Sequence, residues 1–353
     1  MNPTRRSVLA GLATLAVMPA VAACGSDQPG SATPSTPAPE GAEEGAFPVT
    51  IAHKFGETTL ETAPERVVCV GLTDQDTLLA LGIVPVGVSY WFGEKSKRGI
   101  YSWAEEAFGD AEPPTLLMNT NGVEIEQVAA LQPDLIIGQY AGLTEKEYEL
   151  LSKIAPTVAQ SGDYADYGTP WDEAALTIGT AVGRPAATQK LIDGVKERIV
   201  AEAKAHPEFA GQTAAVVTPY EGLFIYGPED PRSRLLVELG FDLPPIITDA
   251  TDSEFGISLS AERTSDLAAV GAVVWLDLDA DKQVRTVFEG TTAHEQGRWF
   301  DITNADGDYY VAHSFVTPLS IPYVLDRYVP QLAAAADGDP ATEVPSADEA
   351  ARG

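Results

Sequence analysis

Positive charge is scarce in this chain of 353 residues: lysine and arginine number 22 against 52 aspartates and glutamates, a formal net charge of −30. That balance excludes nucleic acid and anionic lipid as partners, because both are held by Lys and Arg that displace counterions. Cysteine is scarcer, with only Cys24 and Cys69. If Cys24 is spent on a lipid, as argued next, no disulfide framework or Cys-based metal site remains. The four histidines, His53, His206, His294 and His313, do not cluster with carboxylates in the way a bound Zn or Mn would need. Also missing are a Gly-x-Ser-x-Gly elbow, a Walker loop and a dinucleotide fingerprint. Ser233, in "GPEDPRSRLL", has no base nearby in sequence, although triad partners are usually distant. An exported hydrolase is therefore the weaker reading.

The one long apolar run, near the start, is too short to span a bilayer comfortably. "TRRSVLAGLATLAVMPAVAAC" pairs Arg5 with Arg6, then an apolar stretch, then small residues. Residues 1–23 read as a secretion signal of the twin-arginine kind. Val21-Ala22-Ala23-Cys24 resembles a bacterial lipoprotein cleavage box, which makes Cys24 the first mature residue and the site of lipidation; the alternative is a plain secreted protein. Residues 24–46 are rich in Gly, Ser, Pro, Thr, Ala and Glu and read as a flexible tether, and residues 337–353 as a disordered acidic tail. The apolar fraction of 44% and charged fraction of 21% are globular values, and roughly 290 residues are left between the ends, enough for two lobes.

Between those ends the chain alternates. "RVVCVG" reads as a buried parallel strand, "DTLLALG" as a helix closed by Gly82, and "VPVGVS", "DLIIG" and "KIAPTVAQ" as further strands. "WDEAALTIGTAVG" reads as a helix ending at Gly183, and Pro185 opens a second, long one with Leu191, Ile192, Val195, Ile199 and Val200 at helical spacing. At 1.5 Å per residue it runs roughly 30 Å. Then the pattern restarts. "RLLVELGF" matches "TLLALGI", and "SLSAERTSDLAAVGAVVWL" repeats the plan of "GVEIEQVAALQPDLIIG": an acid (Glu126, Glu262), a Leu five residues on (Leu131, Leu267), and a β-branched run. "YVLDRYVPQLAAAA" reads as a last helix interrupted near Pro330. The repetition predicts two similar α/β lobes with parallel sheets, 47–182 and 211–336, joined by a linking helix over 183–210. A crevice between such lobes is where a small ligand sits.

"PERVVCVGLTDQDTLLALGIVPVGV", "VEIEQVAALQPDLIIG", "LSKIAPTVAQ" and "ISLSAERTSDLAAVGA" resemble the helical-backbone class of solute-binding proteins of ABC importers, which take up ferric siderophores, haem and cobalamin. "AHKFGETTLETAPERVV" and "VSYWFGEKSKRGIYSWAEEAFG" are similar to its actinobacterial iron-siderophore branch. The resemblance covers about residues 47–335 and implies two Rossmann-like lobes on one long spine helix. It implies a lipid-anchored, extracytoplasmic, monomeric binder rather than an enzyme, with a ferric siderophore as ligand, no cofactor of its own, and an ABC permease with its ATPase as partners. It also implies that Glu126 and Glu262, one per lobe, dock onto permease arginines; the residues alone equally allow that each acid only favours the positive end of its helix.

Ligands of parallel α/β lobes sit beyond the carboxyl ends of the strands. That nominates Trp91 and Phe92, Tyr140, Tyr220, Tyr226, Arg232 and Arg298 with Trp299, and His313 after "YYVA", taken as a strand. Aromatic walls supply contact area and arginines bond chelating oxygens, so Trp91, Tyr140, Tyr220, Tyr226, Arg232 and Arg298 are the candidate ligand contacts. Lys95, Lys97 and Arg98 form either a basic contact or a solvated loop. Haem is the competing ligand and would need a Tyr or His, Tyr220 or His313, aimed at iron.

Overall fold

The structure is a computed structural model that describes residues 41–90, 99–118, 122–250 and 255–352. A hairpin, β1 (Val49–His53) and β2 (Gly56–Leu60), precedes two five-stranded sheets. The first holds β3 (Val67–Cys69), β4 (Gly87–Ser89), β5 (Thr115–Leu117), β6 (Leu135–Gly138) and β7 (Thr157–Ala159), all parallel, in the order β5-β4-β3-β6-β7. The second holds β8 (Ala214–Pro219), β9 (Leu223–Tyr226), β10 (Gly256–Leu259), β11 (Ala272–Leu276) and β12 (Trp299–Ile302), in the order β10-β9-β8-β11-β12. The two orders coincide position for position, so the repeated phrase leads into equivalent strands, β6 and β11. This is the α/β, two-lobe architecture the sequence implies.

Strand alternation builds a core on both faces of each sheet. Val67, Cys69 and Ile137 point to one side of the first sheet; Val68, Val70 and Ile136 point to the other. Ala214, Val216 and Val274 oppose Ala215, Val217 and Trp275 in the second. Burial pushes the Cys69 thiol well up, as suits a core residue.

The Leu-Leu-Gly match is also structural. After the helix Asp74–Ala80, Gly82 (φ 72°) donates to Leu79 O at 2.9 Å and Ile83 donates to Leu78 O at 2.8 Å. After the helix Pro231–Glu238, Gly240 (φ 108°) donates to Val237 O at 3.0 Å and Phe241 to Leu236 O at 3.1 Å. Both are left-handed Gly caps of the same hydrogen-bond pattern. One expectation fails here. The second sheet is not all parallel, because the short turn at 220–222 has no room for a crossover helix and returns β9 antiparallel to β8.

The long linking helix is present over Pro185–Ala205, as the sequence implies, and a shorter helix, Trp171–Ala181, packs beside it. Pro185–Ala205 buries Ile192, Val195 and Ile199 in the second lobe's core and Thr188 beside Gly179, while Val200 is exposed. Trp171–Ala181 crosses the boundary: Trp171 and Ala175 pack in the second lobe's core, Ile178 and Ala181 in the first's. The two helices meet where a Cβ on Gly179 would lie 1.8 Å from Thr188 Oγ1.

Three expectations about the ends and helices are corrected. Residues 41–46 are docked rather than tethering: Glu43 accepts from Ala186 N at 3.0 Å and Ala187 N at 2.9 Å, satisfying two of the free amides that open the linking helix. The acidic tail is ordered in the structure. Ser346 and Glu349 form a capping box for the helix Ala347–Ala350, Gln331 Nε2 donates to Pro345 O at 3.0 Å, and Val344, Ala347 and Ala350 pack inward. Composition hid this, because a few apolar residues at the right spacing suffice to seal a groove on an existing helix. Finally, Ser320–Ala336 runs helical through Pro330. Among the described residues no helix is long and apolar enough to cross a membrane.

Candidate functional site

In both sheets the connection reverses between the two central strands, β3 and β6 in one, β8 and β11 in the other, and ligands favour the crevice beyond the carboxyl ends of such strands. Tyr140 stands just past β6. Its amide and that of Gln139 donate to the Asp74 carboxylate at 3.1 and 2.9 Å, which fixes the loop at this reversal. From there the Tyr140 ring meets Phe315 of the other lobe edge-on at 5.8 Å and Tyr167 at 5.1 Å.

Opposite lies a pocket of about 420 Å³ lined by Thr218, Tyr220, Phe224, Tyr226, Arg232, Phe255, Tyr310, Ser314 and Phe315. β8 delivers Thr218 and Tyr220 at its carboxyl end. β9 turns Leu223 and Ile225 into the core and Phe224 and Tyr226 toward the pocket, their rings edge-on at 5.0 Å. Tyr220 is 64% exposed, a large ring held at the mouth. A second cavity, about 640 Å³, lies between β12 and the C-terminal segment, beside Asp301, Asp306 and Glu349.

Arg232 is the chemical centre of the pocket. Asp230 caps the helix Pro231–Glu238 by accepting from Arg232 N at 2.9 Å, and the same carboxylate takes Nε at 2.8 Å and Nη2 at 2.6 Å. The guanidinium lies over the Tyr226 ring, 3.7 Å from its centroid. Burial opposes its charge, but Asp230 and the Tyr226 and Tyr140 hydroxyls outweigh burial and raise the pKa, so Arg232 stays cationic. Burial likewise keeps the Tyr140 and Tyr226 hydroxyls protonated, as donors.

Tyr220, Tyr226 and Arg232 thus line one pocket, and Tyr140 packs on Phe315 of its wall. The strand-end rule accounts for Tyr220 after β8 and Tyr140 after β6, but not for Tyr226 on the antiparallel β9 or for Arg232 on a helix. Arg298 lies elsewhere. It precedes β12, at the amino end of that strand, and its guanidinium donates to Val270 O, to Ala268 O at 2.9 Å and to Gln296 Oε1 at 2.9 Å. Trp91, Phe92, Lys95, Lys97, Arg98 and Cys24 lie outside the described residues. His313 is withdrawn as an iron ligand: "YYVA" is part of the helix Asp308–Ser314, and the ring is fully buried with neither nitrogen bonded. Burial, and Arg232 behind that, lower its pKa to about 3, so it is neutral. Ser233 is buried and donates to Tyr226 O at 3.0 Å, which makes it a poor nucleophile.

Phe224, Phe255, Tyr310 and Phe315 went unnoticed in the sequence. The alternation in "LFIY" carried the signal for Phe224. Tyr310 and Ser314 lie four apart on one face of the helix Asp308–Ser314, which opens at Gly307 without a side-chain cap, so no capping signal in the sequence marked it.

Glu126 and Glu262 are both exposed, each in the first turn of the segment that runs back from the carboxyl edge to the next central strand: Ile125–Ala130 before β6, and the 3₁₀ stretch Ala261–Ala269 before β11. Glu262 also accepts from Gln283 Nε2 at 3.2 Å.

The periplasmic binding protein family model matches residues 67–302, from the first strand of one sheet to the last of the other. The chain belongs to that family. Its members are substrate-binding proteins rather than enzymes. The putative ABC transporter substrate-binding lipoprotein YhfQ of Bacillus subtilis is 32% identical over 209 residues, 59% of this chain and 62% of that protein. The chain therefore matches less than two thirds of this curated relative's length. A periplasmic solute-binding protein of Mycobacterium smegmatis is 33% identical, with a TM-score of 0.68 over 82% of this chain and 98% of its own. The Streptococcus pneumoniae protein PiaA, solved in complex with ferrichrome, is 27% identical, with a TM-score of 0.71 over 82% of this chain and 99% of its own.

Proposed function

We propose that this protein is the capture component of an ABC importer and that its cargo is a ferric siderophore. The observation that carries the reading is the pocket: aromatic walls around one buried guanidinium, open at the carboxyl end of β8 and faced by Tyr140 from the other lobe. Rings give contact area to a bulky chelate, and Arg232, Tyr140 and Tyr226 offer donors to its oxygens. The ferrichrome complex of PiaA supports a ferric chelate as the class. Cys24 carries the lipid, the mature protein sits outside the cytoplasmic membrane as a monomer, and it turns nothing over. Glu126 and Glu262, at matching places on the two lobes, engage basic residues of a permease, setting orientation and encounter rate more than affinity.

The mature protein is titrated with ferric hydroxamates, ferric catecholates, ferric citrate and haem by quenching of intrinsic fluorescence. Saturable one-to-one binding of a ferric chelate without consumption of it is expected; a folded protein that binds none of them refutes the reading. Reversal of both docking charges, Glu126→Lys with Glu262→Lys, leaves affinity intact and abolishes uptake, and normal uptake by that double variant removes their role.

A further inference from the structure

Arg232 is the one charged side chain among the described residues that line the pocket, and its charge is already spent. Asp230, fully buried beneath it, binds it through Nε and Nη2, so guanidinium and carboxylate form a neutral, desolvated pair. His313, also buried and held neutral, adds no second cation. Among the described lining residues the other side-chain donors are hydroxyls, those of Tyr220, Tyr226, Tyr310, Thr218 and Ser314. Resting on the chelate reading above, we propose that Asp230 is the residue that sets ligand charge class, making this a site for electroneutral ferric trihydroxamates and selecting against anionic chelates.

The chemistry follows from charge counting. Three singly charged hydroxamates cancel the ferric ion, so the complex carries no net charge and its oxygens can accept from a guanidinium already paired on its other edge. A tris-catecholate or a dicitrate complex keeps several negative charges, which the buried Asp230 carboxylate repels at short range in a poorly screened site. A pocket built for anions would leave its arginine unpaired or supply several. Asp230 also positions Arg232 by capping the helix that carries it, so one carboxylate fixes both the geometry and the charge.

The test uses ferrichrome as the neutral probe, with ferric dicitrate and a ferric tris-catecholate as anionic probes. The wild type should bind ferrichrome at least about tenfold more tightly than either anion, with an affinity that changes less than about twofold between 50 and 500 mM NaCl. Asp230→Asn keeps the cap, since asparagine caps as well as aspartate, but frees the positive charge. It should shift the preference at least about tenfold toward the anions. A wild type that prefers an anionic chelate, or a folded D230N with unchanged preference, overturns the assignment while leaving the chelate reading standing. Binding of no chelate by folded wild type overturns the chelate reading itself. If D230N fails to fold, the wild-type preference and its salt dependence decide.

Discussion

Asp76 offers the sharpest test of the forces joining the two lobes. It lies in the first turn of Asp74–Ala80, fully buried, and its Oδ2 accepts from Trp103 Nε1 and from Thr317 Oγ1 of the other lobe, both at 2.7 Å. Oδ1 is buried without a partner. Burial raises its pKa from 3.8 to about 6, against the pull of the Thr317 and Trp103 hydrogen bonds. A carboxyl whose folded pKa exceeds its unfolded one makes the native state bind more protons. Its ionisation therefore costs stability above pH 6, and the cost is relieved as pH falls toward 4. Two pKa units correspond to about 3 kcal/mol. Asp76→Asn removes the ionisation and keeps a carbonyl for Trp103 and Thr317, but puts an amide where Oδ1 has no partner, at about 1–3 kcal/mol. The variant should therefore match or exceed the wild type by up to about 2 kcal/mol at pH 8 and, with about 1 kcal/mol of the ionisation cost still present at pH 4.5, fall below it there by up to about 2 kcal/mol. Asp74, also raised to about 6 chiefly by burial and partly by Asp76, titrates with it, so the change in slope belongs to the pair. Urea unfolding followed by tryptophan fluorescence at both pH values measures this. Parallel profiles for the two proteins would show that the carboxyl does not titrate in that window and that the lobe contact is not paying for a buried charge.

Gly179→Ala should cost about 1–3 kcal/mol, read as a lower urea midpoint, because its Cβ cannot coexist with Thr188 Oγ1 at 1.8 Å. Deleting residues 337–353 should lower the Tm by at least about 2 °C, since Val344, Ala347 and Ala350 leave the core and Gln331 loses Pro345 O; an unchanged Tm means that the segment contributes nothing. Tyr220→Ala should weaken ligand binding about tenfold in a quenching titration and leave the Tm alone, because the ring is 64% exposed and offers stacking area rather than core packing.

The sequence made the fold readable where physics acts locally. Leu-Leu-Gly stops, Pro185 at a helix start and valine-rich runs each act over a few residues, and the strand orders of the two lobes agree with the repetition they suggested. What escaped depends on contacts distant in sequence. Nothing near Glu43 announces that its carboxylate caps a helix more than a hundred residues on, and the acidic tail owes its order to a surface on Ser320–Ala336. The reversal of β9 was closer to hand: the stretch at 220–222 is too short for a crossover, and a count of its residues would have predicted an antiparallel neighbour.

The site was legible by rule and illegible by geometry. Position after a strand found Tyr140 and Tyr220, because chain direction carries that information. The same rule failed for Arg298, which follows a loop and precedes its strand, so that its guanidinium ends on the carbonyls of Ala268 and Val270. Arg232 was found for its charge, yet its charge is what the sequence misdescribes. Read as a residue, it is a lone cation in an acidic chain; in the fold, Asp230 two positions earlier cancels it. Adjacent opposite charges in a sequence are usually solvated apart. Here the helix start at Pro231 turns both inward, and burial converts what would be a weak surface pair into a neutral unit in the wall of the pocket, which is the basis of the proposed preference for uncharged chelates.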